Sequence, residues 1–192
     1  LWLRAEPHHT LGLSARVDLS PLKDRAILRL SLIYLCGGFL LSVGDPLLPV
    51  FLKHQFGLRE GAASLAFLAI TASYYALALP LTARLRGNAP IYLGVIFSSL
   101  AFALIFFPQT NVAFLFLFLA FFGFCTGLFV IPIVARVAEA VAKKHSESYG
   151  VAFSSGQWAY TLGMFIGPIA STQLAEFMPY FQVASILAAL PI

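Results

Sequence analysis

A chain of 192 residues with 60% hydrophobic and only 10% charged side chains has too little charge to cover a water-soluble surface, because soluble domains carry about 25% charged residues. Two cysteines exclude a disulfide scaffold, and 19 phenylalanines with so few charges exclude a disordered or nucleic-acid-binding tail. A mean hydropathy of +0.88 leaves an all-α, polytopic membrane bundle, with the lipid bilayer as its solvent and no nucleic-acid partner.

Residues 1–25 mix charges (Arg4, Glu6, Arg16, Asp18, Lys23, Asp24, Arg25) and contain no apolar core. That composition excludes a signal peptide and reads as a cytoplasmic connecting loop ahead of a membrane bundle at 26–192. A membrane helix needs about 20 mostly apolar residues. Five stretches qualify, at 26–52, 62–83, 90–107, 112–134 and 149–173, and a sixth starts near 179. The short segments between them hold the Gly, Pro, Asn and charged residues of turns. The chain starts at Leu1, and its last apolar stretch from Tyr180 is too short for a full span. The expectation is therefore a piece of a longer protein.

The 12 lysines and arginines divide unequally between alternate sides of these spans. One side collects Arg4, Arg16, Lys23, Arg25, Arg29, Arg84, Arg86, Arg136, Lys143 and Lys144; the other has Lys53 and Arg59. The positive-inside rule then puts the N-terminus in the cytoplasm. The net charge of +4 follows from inner loops facing anionic lipid. Whether the membrane is a vesicle's or the plasma membrane is left open.

The first and fourth spans each carry glycines followed by proline within the apolar core: Gly37, Gly38, Gly44, Pro46 and Pro49 in one, Gly123, Gly127 and Pro132 in the other. Gly167 and Pro168 repeat the pair in the fifth. Proline removes a backbone donor and bends or breaks a helix. Interrupted helices at matching positions of two three-helix sets point to a transport site. The plainer alternative is that Gly and Pro are common in membrane helices. Gly123-x-x-x-Gly127 and Gly163-x-x-x-Gly167 read as faces for close helix packing.

Asp45 is the one acid clearly inside an apolar span. A carboxylate near mid-membrane costs ~2.5–3.5 kcal/mol on insertion scales, so it faces a cavity or a partner. Low dielectric favours the neutral acid, which suits a proton carrier, while the anion would suit a cationic solute. The structural alternatives are that Asp45 caps a segment broken at Pro46 or pairs with Lys53. In the fifth span Ser154, Gln157, Trp158 and Thr161 share one helix face, and in the second Thr71 and Tyr74 share another. Polar groups in hydrocarbon are expected to turn inward, and Trp158, Tyr74, Tyr75 and Tyr160 could hold a cation by its attraction to their rings. The plainer alternative makes them packing residues. Cys36 and Cys125 read as small apolar fillers. The residues suggest no metal, no cofactor and no enzyme constellation, and no phosphate-cradling glycine loop is present.

Residues 39–52 (FLLSVGDPLLPVFL), then Phe56-Gly57-Leu58, Leu65-Ala66-Phe67-Leu68, Ser73-Tyr74 and Pro80-Leu81, resemble the seventh and eighth helices of major facilitator superfamily transporters. The likeness is to the vesicular amine and polyamine branch in particular. Gly127 through Ile131-Pro132, then Tyr149-Gly150, then residues 162–168 (LGMFIGP), resemble that branch's tenth and eleventh helices. The resemblance implies the C-terminal half, helices seven to twelve, of a carrier working by alternating access. It implies proton antiport of a small organic cation, and a missing N-terminal six-helix half as partner. On this reading Asp45, Tyr74, Gln157 and Trp158 bind substrate or proton, and Gly44, Pro46, Pro49, Gly127, Pro132, Gly167 and Pro168 bend or gate the helices. The sequence departs from the branch where monoamine carriers have acids, at Gly127 and Gln157. It departs also in the loop at 83–87, which keeps only the basic part of the superfamily's motif, and at Ala170-Ser171, where paired glycines are usual. The alternatives are a non-transporting scaffold or regulatory half-transporter, and a membrane-embedded enzyme, for which Asp45 lacks a second catalytic group.

Overall fold

The computed structural model describes residues 23–191 apart from 59, 86, 109 and 145–148, and leaves out the side chains of 60, 62, 141–144, 149 and 152. The expected connecting loop therefore lies almost wholly outside the described residues. Among them every regular element is helical.

Helix α1 spans Arg25–Phe56. Asp24 starts it by accepting the Ala26 N–H at 2.8 Å, which satisfies one of the orphan donors of a first turn. Gly57 ends it in the left-handed region at φ 62°, its N–H turned back to the carbonyls of Leu52 and Lys53. The interruption expected at Gly44–Pro49 does not occur: α1 continues through Pro46 and Pro49. Each proline removes one donor, from the carbonyls of Ser42 and Asp45 respectively. The long contact of α1 with α6 holds the backbone in place across those losses. Pro132 and Pro168 likewise lie inside continuous helices.

The second rod joins α2 (Glu60–Ser73), a π-helical turn (Tyr74–Ala78) and α3 (Leu79–Thr82). Helix α4 spans Ala89–Ile105 and α5 spans Val112–Lys144. The last ten residues of α5 lie beyond the apolar stretch that the sequence marks. They are rich in alanine with Arg136, Glu139, Lys143 and Lys144, strong helix formers that carry α5 beyond that stretch. Helix α6 spans Tyr149–Ala175 and α7 spans Tyr180–Ala189. Among the described residues three segments, Arg25–Phe56, Ala63–Thr82 and Val112–Ala140, are long and apolar enough to cross a membrane. Helix α6 has the length, at 27 residues, but its serines, threonines and glutamines make it less apolar.

The bundle is built from close helix pairs, α1 with α6, α4 with α5 and α2 with α5. Glycines set these crossings. A Cβ on Gly163 would strike the Leu35 carbonyl, one on Gly38 the Tyr160 carbonyl, and one on Gly123 the Ile70 carbonyl. Backbones that approach this closely gain dispersion contact, which drives association where lipid removes the hydrophobic force. Two apolar clusters fill the remaining interior. The larger centres on Val43, Phe102, Phe106, Leu119, Phe122 and Leu187. The smaller centres on Ile27, Ile91, Phe129, Ile133 and Val137. The start of α1, the start of α4 and the end of α5 meet at one end of the bundle, around a cavity of about 420 Å³ that includes Arg29 and Arg136. Lys53 and His54 lie at the opposite end of α1.

Candidate functional site

Asp45 is the 21st residue of α1, about 30 Å from its first residue at 1.5 Å per residue and past the middle of the helix. Its side chain is exposed on the surface of the chain and lines a cavity of about 160 Å³. Two structural roles considered for it are not seen among the described residues. The helix is unbroken at Pro46, so there is no segment for Asp45 to cap. Among the described residues Arg136 pairs with Glu139 at 2.9 Å, and no pair joins Lys53 to Asp45.

The cavity brings three helices to one place. Helix α1 contributes Leu41, Gly44 and Asp45, α2 contributes Phe67, Ile70 and Thr71, and α6 contributes Tyr160 and Met164. Phe102 of α4, Phe106 at the C-cap of α4 and Phe122 of α5 close it. The wall is thus apolar, with one carboxylate, one phenol and one hydroxyl. Few polar groups in a mostly apolar concavity is the usual make-up of a small-molecule site. A volume of 160 Å³ corresponds to about five waters, at ≈ 30 Å³ each.

A tyrosine cluster adjoins it. Tyr160 stacks on Tyr34 with ring centroids 4.6 Å apart, and Tyr74 meets Tyr75 edge-on at 5.0 Å. Tyr74 lies near Tyr160 and Tyr34, so the four rings connect α1, the π turn and α6 beside the carboxylate.

Gln157 and Trp158 stand apart from this group. Ser154, Gln157, Trp158 and Thr161 are all exposed, Trp158 by 76%. Within this chain that face does not turn into the packed interior. The Ser154 hydroxyl donates to the Gly150 carbonyl at 2.7 Å and Thr161 to the Gln157 carbonyl at 2.9 Å. Hydroxyls satisfied on their own helix have no need of a bundle interior, and the buried edge of α6 is the glycine line Gly156, Gly163, Gly167. Tyr160 and Met164, four residues apart on the face beside that line, are the α6 residues that share the cavity with Asp45. Their spacing from Gly163 and Gly167 is the sequence signal for their position. Of the expected bending residues, Gly127 and Gly167 are contact positions: a Cβ there would meet Ala78 and Ser42 respectively.

The profile of the Major Facilitator Superfamily matches residues 30–192. No curated protein matches the chain significantly. The chain belongs to the Major Facilitator Superfamily, a family of membrane transporters of small solutes.

Proposed function

Taking membership of that superfamily as the premise, we propose that the chain forms one six-helix, multi-pass half of a carrier that exchanges a small organic cation, an amine or polyamine, for protons. The half has its N-terminus in the cytoplasm and faces an N-terminal half across the surface that carries Asp45. Asp45 holds the proton or the cation in turn. The rings of Tyr74, Tyr75 and Tyr160 line the approach and attract the cation with their faces.

One observation carries this reading. Asp45 is an exposed carboxylate within a long apolar helix, at a cavity, with no cation beside it among the described residues. Facing lipid, such a group costs ~2.5–3.5 kcal/mol, and a water-filled path or a bound cation removes that cost. Pro49 adds a second acceptor at the same residue by taking the helical donor away from the Asp45 carbonyl. Exchange follows from charge. The protonated acid releases the cation, and the cation displaces the proton.

Uptake of labelled spermidine into proteoliposomes under an imposed pH gradient tests the proposal, using the transporter that contains this chain. Wild type is expected to accumulate spermidine when the interior is acidic, and Asp45→Asn to lose that accumulation. Unchanged pH-driven uptake in Asp45→Asn would overturn the role of Asp45.

A further inference from the structure

The second rod is not a simple helix. Its α-helical part ends at Ser73, the next five residues form a π turn, and α-helix resumes at Leu79 with Pro80 in its first turn. In a continuous α-helix Pro80 would lack a donor for the Ala76 carbonyl, and its ring would press against that carbonyl. A π turn closes its bonds five residues apart and widens the backbone at this point. The restarted helix then meets Pro80 where a missing N–H costs nothing.

The π turn has a consequence for the Asp45 cavity. It takes up one more residue than an α-helical turn over the same arc. Relative to Leu79–Thr82, everything before it is therefore offset by one position, about 100° and 1.5 Å at 3.6 residues per turn. Phe67, Ile70 and Thr71 line the cavity in this offset register. In a regular α-helix, Ala72 would stand where Thr71 now stands. Helix α5 grips both sides of the joint. Gly123 lies against Ile70 and Ser73 before it, and Gly127 against Tyr74 and Ala78 within it.

We infer that Pro80 is a positioning residue: it holds the π turn Tyr74–Ala78, and that turn sets which face of α2 meets Asp45. The effect reaches the cavity through the register of the rod, since Pro80 itself does not line it. The inference concerns the geometry of the cavity proposed above as the solute site, and it is read by cross-linking, which needs no transport. Loss of pH-driven uptake and loss of register are therefore separate results.

The test uses the whole chain in liposomes with Cys36 and Cys125 replaced by alanine. A cysteine pair at Thr71 and Met164, which share the cavity wall, is treated with a short bifunctional thiol reagent, and a pair at Ala72 and Met164 is treated alongside. With Pro80 present, the Thr71 pair is expected to bridge and the Ala72 pair to remain open. Pro80→Ala is expected to exchange the two. Deleting Ala76 in the Pro80→Ala background removes the extra residue and is expected to return bridging to the Thr71 pair. If Pro80→Ala keeps the original pattern, the inference is overturned. If Pro80→Ala does not fold, the deletion decides: recovery of folding with Thr71 bridging supports the inference, and failure to recover overturns it.

Discussion

The α1–α6 crossing makes a quantitative prediction through Gly163. A Cβ at Gly163 would meet the Leu35 carbonyl and the Phe39 amide nitrogen, both backbone atoms. No rotamer change relieves such a clash, so α1 and α6 must separate. Overpacking a well-filled interface costs about 1–3 kcal/mol, and the rigidity of the obstacle puts Gly163→Ala at about 2–3 kcal/mol. Gly156 on the same helix is the control. There the Cβ would find Tyr34 Cδ1 at 3.7 Å and Ser31 Oγ at 4.0 Å, ordinary contacts. Gly156→Ala should gain up to about 1 kcal/mol from helix propensity. At roughly 2–4 °C per kcal/mol for a chain of this size, Gly163→Ala should lower the unfolding midpoint in detergent by about 4–12 °C. Gly156→Ala should leave it equal or slightly raised. If the two variants unfold together, backbone contact is not what holds α1 to α6.

Phe129 is fully buried and lies against both Gly37 and Gly94, so Phe129→Ala should cost about 3–5 kcal/mol and lower the same midpoint further than Gly163→Ala does. Glu139 is 56% exposed and its pair with Arg136 is an i,i+3 contact on one helix. Glu139→Gln should shift stability by less than about 1 kcal/mol, and a larger loss on thermal unfolding would mean that Glu139 has a role beyond this pair.

Helix positions were legible because hydrocarbon tolerates few other solutions. An apolar run of about 20 residues bounded by turn residues is close to a sufficient signal, and α1, the rod from α2 to α3, α4 and α6 follow it to within a few residues. The far end of α5 was not legible from apolarity, because the charges at Arg136, Glu139, Lys143 and Lys144 interrupt the apolar run even though Val137 is buried. Prolines misled in the opposite direction. Pro46 and Pro49 predict a break by local chemistry, while the contact of α1 with α6 keeps the helix whole. Asp45 was legible as a charge in an apolar run. Its neighbours were only partly so: Thr71 followed from helix periodicity, but the choice of Tyr160 over Gln157 depends on which edge of α6 the glycines bury. The π turn could not be read from a hydropathy pattern, although Pro80 marks its place.

These details bear on how the site could change shape. Asp45 and Tyr160 sit on α1 and α6, which touch backbone to backbone at Gly38 and Gly163. The spacing of the two backbones that carry the carboxylate and the phenol is therefore set by close helix contact. The opposite wall, Phe67, Ile70 and Thr71, belongs to α2, which meets α1 over far fewer residues than α6 does and is carried instead on α5. Two tight pairs, α1–α6 and α2–α5, thus face each other across the cavity with side chains as the main contact between them. Bistable motion is easiest where side chains slide and hardest where backbones interlock. The cavity at Asp45 thus lies on the seam between the two pairs, with α1 and α6 on one side and α2 on the other.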